Sequence, residues 1–272
     1  RYSFEGFEDT AFDSLGHKHG TLEGGARLKG DGAIALDGVN DFVRLPAGLL
    51  SGLGDATLET WITWDGPESE NWSRILEFGK DDANYLYLTP RTGSSPRHAR
   101  FGIAIGGPEK KVNATNQLPG DGKTINHLVV SIHKTAAQAA FYLDGELQGT
   151  ATMPTPLAEF PDDNAWLGNS HYSWVPPFDG RIHEFRIYDH ALTPELVRKN
   201  HAAGPDVLPG PVIHQFEASA LAVHSGSSVD LSWTLSDGAS GTIDPGGIRV
   251  DTLTGTVEVQ VLADTTYTLT VA

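Results

Sequence analysis

The chain has 272 residues, of which 35 are Asp or Glu and 19 are Lys or Arg, so its net charge is −16, and it holds no cysteine. Such a charge repels nucleic acid and anionic membrane surfaces at long range, and without thiols there is no disulfide, zinc–thiolate site or cysteine nucleophile. No apolar run is long enough to insert into and span a bilayer, and Arg1-Tyr2-Ser3-Phe4 lacks the charged and apolar regions of an export signal, so the sequence reads as a mature or excised fragment.

Glycine (31 residues) and proline (16) interrupt β-rich runs at short intervals. The predicted strands are Ala33 to Leu36, Phe42 to Leu45, Thr57 to Trp64, Arg74 to Phe78, Tyr85 to Leu88, Phe101 to Ile105, His127 to His133, Ala139 to Leu143 and Ile182 to Tyr188. Many short strands with turn residues between them make an all-β sandwich or barrel. In residues 57–64, Leu58, Ile62 and Trp64 share one face and Glu59 and Trp61 the other, which predicts a central strand covered on both sides. Asp37-Gly38, Asp144-Gly145 and Asp179-Gly180 are predicted hairpin turns, in which glycine supplies the positive φ. Thr193-Pro194-Glu195 offers a capping hydroxyl, a proline at the first helical position and a carboxylate at the positive end of the dipole, and Gly204-Pro205 is a stop signal. Together they predict a helix from Pro194 to Ala202, packed at the sandwich edge. Three prolines and two glycines between Gly204 and Pro211 predict an extended, semi-rigid linker over residues 205–211. Beyond it, Val229 to Trp233, Thr256 to Leu262 and Thr265 to Val271 read as strands of a second all-β unit of about 60 residues.

The stretches Ala35-Leu36-Asp37-Gly38, Asp41-Phe42-Val43-Arg44-Leu45-Pro46, Ala56-Thr57-Leu58-Glu59-Thr60-Trp61, Phe141-Tyr142-Leu143-Asp144-Gly145 and Gly180-Arg181-Ile182-His183-Glu184-Phe185-Arg186-Ile187-Tyr188 fall in one recognisable order. In that order they resemble the laminin-G-like, concanavalin-A-like jelly-roll modules of bacterial extracellular proteins. Ser227 to Trp233 and Asp264 to Thr270 resemble bacterial immunoglobulin-like repeats. The resemblance implies a two-sheet antiparallel jelly roll over residues 1–204, the linker over 205–211, and a small immunoglobulin-like β-sandwich over 212–272. It also implies an accessory region of a secreted bacterial enzyme, with the parent catalytic domain in the same polypeptide. Many relatives of this kind carry a structural calcium ion between the N-terminal acidic loop and the last strand of the jelly roll. On this chain the ligands would be Glu5, Asp13 and Glu184, although His183 stands where the family has an Asp.

No serine-hydrolase elbow, zincin or phosphate-loop motif occurs. The nearest carboxylate pair for glycoside hydrolysis is Glu59 with Glu77, on different predicted strands. Glycan recognition needs exposed aromatic rings to stack on sugar faces and planar polar groups to fork onto hydroxyls. Glu70-Asn71-Trp72-Ser73-Arg74 supplies Trp72 and Arg74, and Asn169-Ser170-His171-Tyr172-Ser173-Trp174 puts three rings in a proline-bounded loop where Trp174 is hard to bury. Arg91, Arg97, His98 and Arg100 are the local basic concentration, suited to a sulfated or uronic polymer. The expected function is a non-catalytic carbohydrate-binding or adhesion module for an extracellular polysaccharide. The alternatives are a structural spacer or protein-interaction module, and, below it, a glycoside hydrolase or lyase.

Overall fold

The computed structural model describes residues 1–66, 71–153, 156–208, 210, 213–235 and 240–271. Glu70, and Pro209 and Pro211 of the expected linker, lie outside them. The chain divides into two compact units, Arg1–Val207 and Leu208–Ala272.

The first unit begins with β1 (Thr10–Ala11), β2 (Gly20–Glu23), β3 (Arg27–Leu28), β4 (Ile34–Asp37), β5 (Phe42–Leu45), β6 (Ala56–Trp64), β7 (Leu76–Asp81) and β8 (Asn84–Thr89). There follow β9 (Arg100–Ile105), β10 (Lys110–Asn113), β11 (Asn126–His133), β12 (Gln138–Leu143), β13 (Glu146–Thr152), β14 (Asn164–Leu167), β15 (Asp179–Tyr188) and helix α1 (Pro194–Ala203). The strands form two antiparallel sheets, one ordered β1-β2-β5-β14-β7-β8-β9-β10 and the other β13-β12-β11-β6-β15-β4-β3. This is the expected all-β, two-sheet sandwich. Period-two alternation explains it locally: in β8, Leu86 and Leu88 enter the shared core with Phe78, Phe101 and Ile103, and Tyr85 and Tyr87 point away from it. Each fully buried Leu, Ile or Phe of that core stabilises the fold by roughly 1.5–3 kcal/mol.

Strand β6 is central and buried along its whole length. Leu58, Ile62 and Trp64 face the sandwich core. Its other face is closed by α1, whose Val197, with Leu192 just before it, packs on Val129, Ala140 and Tyr142. The helix therefore lies on the outer face of the seven-stranded sheet and not at the sandwich edge, because those three residues leave an apolar patch there that needs cover. Thr193 Oγ1 accepts the Leu196 amide at its N-terminus, and Gly204 ends it.

Of the three predicted hairpin turns, one forms. Asp144 and Gly145, both at positive φ, join β12 to β13. Asp37-Gly38 instead carries the chain from one sheet to the other, since β4 pairs with β15 and β5 with β14. Asp179-Gly180 opens β15 itself. Glycine is required at 180 by close approach, for a Cβ there would lie 2.3 Å from the Thr63 carbonyl oxygen.

The second unit contains β16 (Ile213–Ala218), β17 (Ser227–Leu235), β18 (Gly241–Asp244), β19 (Ile248–Val250), β20 (Thr254–Val261) and β21 (Thr268–Val271). They form two three-stranded antiparallel sheets, β16-β17-β20 and β19-β18-β21, around Leu231, Trp233, Ile243, Val250 and Leu269.

Candidate functional site

The outward face of the eight-stranded sheet carries one register row in which Trp166, Glu77, Tyr87, Gly102 and Lys111 stand side by side on β14, β7, β8, β9 and β10. The Tyr87 ring lies against Gly102, where a Cβ would fall 2.5 Å from a ring carbon. The Arg74 guanidinium stacks over the same ring at 3.9 Å from its centroid. Arg74 is only 4% exposed, and donates from Nε to Glu77 Oε2 at 2.9 Å and from Nη1 to the Trp72 carbonyl at 2.9 Å. Trp72 sits in the left-handed region at φ +74°, an arrangement that costs a bulky residue roughly 1–3 kcal/mol and tends to mark functional positions. Its half-buried indole is capped by Arg100 at 5.2 Å.

The loop after β14 is tied to the sheet through Glu77. Ser170 Oγ donates to Glu77 Oε2 at 2.8 Å, and the His171 amide to Oε1 at 2.8 Å. The His171 ring reaches Glu77 Oε1 through Nδ1 at 2.5 Å and Asp82 Oδ1 through Nε2 at 3.1 Å. Burial alone would raise the Glu77 pKa, but the hydrogen bonds from His171 and the charge of Arg74 outweigh it and hold the carboxyl below its ordinary range. Burial likewise opposes charge on His171, and the Glu77 and Asp82 carboxylates overcome it and push the imidazole up. On this anchor the rings stack outward: Tyr172 on His171 at 3.8 Å, and Trp174 on Tyr172 at 5.3 Å with a 39° tilt. Trp174 is 65% exposed.

Opposite the loop, Glu109 accepts from Tyr85 Oη at 3.1 Å and Tyr87 Oη at 3.2 Å through Oε2. Its Oε1 stands 3.8 Å from Arg100 Nη1 and 3.9 Å from Lys111 Nζ. Burial, reinforced by the Glu109 charge, pushes both phenols above the ordinary tyrosine range, so they remain hydrogen-bond donors at any working pH. Arg100 Nε donates to Asn113 Oδ1 at 2.7 Å. The result is an open cavity of about 280 Å³ lined by Trp72, Arg74, Tyr85, Tyr87, Arg100, Glu109, Tyr172 and Trp174.

Five residues expected from sequence, Trp72, Arg74, Arg100, Tyr172 and Trp174, thus meet in one cavity, with His171 directly behind it. Arg97 and His98 do not line it. Arg97 is exposed, His98 Nδ1 lies 2.7 Å from the Ala114 carbonyl oxygen, and Arg91 borders a separate depression with Trp64 and Leu118. The expected basic patch is dispersed because these residues follow a loop, not one strand face. Tyr85, Tyr87 and Glu109 were missed. The alternation Tyr85-Leu86-Tyr87-Leu88 signals two phenols on one face, but nothing local to Glu109 places it beneath them. A larger groove, about 680 Å³, exists in the second unit beside Leu221, Val223 and Tyr267, but no basic side chain lines it.

The expected calcium ligands do not form a cage. Glu184 Oε1 accepts from Arg1 Nε and Arg186 Nε, each at 2.5 Å, and its Oε2 from the Asp206 amide and, at 3.3 Å, from Arg1 Nη2. Asp13 Oδ1 lies 3.2 Å from the Arg1 nitrogen, and Glu5 is exposed. Calcium needs six to eight oxygens aimed at one point. Here the Glu184 oxygens face guanidinium and amide donors, and among the described residues no group of three or more metal-ligating side chains assembles. The carboxylates Glu59 and Glu77 also stand apart, on β6 and β7 of different sheets. Glu59 is fully buried and accepts from His127 Nε2 at 2.9 Å, Tyr188 Oη at 2.7 Å, Asn200 Nδ2 at 2.9 Å and Arg186 Nη1 at 3.3 Å.

Residues 37–198 match the family described as the concanavalin A-like lectin/glucanases superfamily. A comparison with curated protein sequences gave no match. Among solved structures, domain 4 of a GH43 extracellular arabinanase from Geobacillus stearothermophilus, in complex with arabinotriose, aligns with a TM-score of 0.58 and 24% identity over 69% of this chain and 90% of that domain. The binding domain of botulinum neurotoxin DC, in complex with rat synaptotagmin II, aligns at 0.56 and 9% identity over 88% and 73% of the two chains. Trypanosoma rangeli sialidase aligns at 0.54 and 16% identity, over 72% of this chain and 31% of the enzyme. At such identities the likeness speaks for the fold.

Proposed function

The chain belongs to the concanavalin A-like lectin/glucanases superfamily, and from that premise we propose that it is a non-catalytic carbohydrate-binding module of a larger secreted protein, with an extracellular polysaccharide as its ligand. The observation that carries this reading is the exposed Trp174 ring, set against half-buried Tyr172, beside a cavity whose polar groups are already oriented. A sugar offers an apolar C–H face to such rings and hydroxyls to the carboxylate and guanidinium edges around them. The arabinanase domain of the same fold was solved with a trisaccharide, which is a precedent for the scaffold. Against hydrolysis, two catalytic carboxylates must face each other about 5–9.5 Å apart, whereas Glu59 and Glu77 belong to separate sheets. The second unit, two three-stranded antiparallel sheets, is read as an immunoglobulin-like accessory domain. No helix among the described residues is long and apolar enough to cross a membrane.

A glycan array with the whole chain tests the reading. Trp174→Ala is expected to weaken binding by about 1–3 kcal/mol and to leave the melting temperature nearly unchanged, because an exposed ring contributes little to the core. An array on which wild type and variant bind alike would move the binding site away from Trp174, and one on which neither binds would favour the spacer reading.

A further inference from the structure

We infer that the site takes uncharged saccharides and rejects uronic and sulfated ones, with Glu109 as the residue that discriminates; this deepens, and rests on, the carbohydrate-binding reading. A carboxylate or sulfate is bound well by an arginine that offers two parallel N–H donors. Both arginines of the cavity are buried, and each already has a carboxylate beside it, Glu77 for Arg74 and Glu109 for Arg100. Arg74 is engaged with Glu77 Oε2 and the Trp72 carbonyl, and its face lies on Tyr87. Arg100 donates to Asn113 from Nε and turns Nη1 toward Glu109 at 3.8 Å.

Glu109 is 24% exposed at the cavity wall. Two phenols fix its Oε2, whereas Oε1 has Arg100 and Lys111 only at 3.8 and 3.9 Å, beyond hydrogen-bond reach. That oxygen is an oriented acceptor for sugar hydroxyls and a like charge for a sugar acid. The chain's net charge of −16 acts in the same direction on any polyanion.

Affinity electrophoresis of the full chain tests this with two panels, one of neutral polymers (arabinan, xylan, mannan, mixed-linkage glucan) and one of acidic polymers (polygalacturonate, alginate, chondroitin sulfate). Each is run with wild type, Glu109→Gln and Trp174→Ala. Wild type is expected to be retarded by a neutral polymer in a Trp174-dependent manner, and at least about tenfold less by any acidic one. Glu109→Gln keeps an acceptor oxygen for the two phenols and removes the charge, so it should narrow that ratio by about tenfold. Melting curves check that both variants fold. Trp174-dependent retardation by an acidic polymer, or an unchanged ratio in Glu109→Gln, would overturn the inference and leave the carbohydrate-binding reading standing. Retardation by neither panel would overturn that reading and this one with it.

Discussion

Glu77 connects the sheet to the loop that carries Tyr172 and Trp174, and that makes the proposed site sensitive to pH from two sides. Its pKa is lowered in the fold, so its contribution is present above the ordinary carboxylate range and is lost as pH falls through the lowered value. The pKa of His171 is raised, so its contribution is full below the ordinary imidazole value and is lost as pH rises through the raised one. The loop holding Tyr172 and Trp174 is therefore held best between the two, and alkaline pH should loosen it. An NMR titration is expected to place the His171 pKa above about 6.5, and Glu77→Gln to bring it down and to flatten the alkaline loss of sugar affinity. A His171 pKa indifferent to Glu77→Gln would show that the anchor is not electrostatic. The exposure of Trp174 was legible because a ring in a polar, proline-bounded loop has few ways to be buried. Glu109 was not, since its role depends on two tyrosines that only strand pairing brings to it.

At the scale of elements, the helix is bound to the sheet by polar as well as apolar contacts. Asn200 of α1 donates to both Glu59 oxygens, at 2.9 and 3.1 Å, while His127, Tyr188 and Arg186 meet the same carboxylate from β11 and β15. Removing one partner of a buried ion pair strands the other, at a cost of about 3–5 kcal/mol. Glu59→Ala is therefore expected to lower the melting temperature sharply and expose α1 to hydrogen exchange, and a change below about 1 kcal/mol would mean that the network is replaceable by packing. Local signals identified this helix to within one residue at its C-terminal end, because capping and proline chemistry act over a few residues. They could not show which sheet it covers. The same limit explains Asp37-Gly38, a good turn sequence whose flanking strands belong to different sheets. Turn propensity reports that the chain bends, and pairing partners are decided by the core.

Over the whole molecule, the two units keep separate hydrophobic clusters, and the cavity is built entirely from residues of the first. The alternation of apolar and polar residues made the sandwich legible, while the choice of its outer face as the site came from side chains distant in sequence. The distribution of tryptophan across the molecule has an optical consequence. Of the six, Trp61, Trp64 and Trp233 are buried, Trp72 and Trp166 are half-buried, and Trp174 stands in solvent. Collisional quenching by acrylamide, a neutral solute that the protein's charge does not exclude, should then resolve one accessible emitter from a shielded majority. Saturating saccharide is expected to protect that emitter and shift its emission to the blue, and Trp174→Ala to remove most of the accessible component. The protein thus carries its own fluorophore at the proposed point of contact, and a quenching profile that ignored both the sugar and the substitution would place the ligand elsewhere.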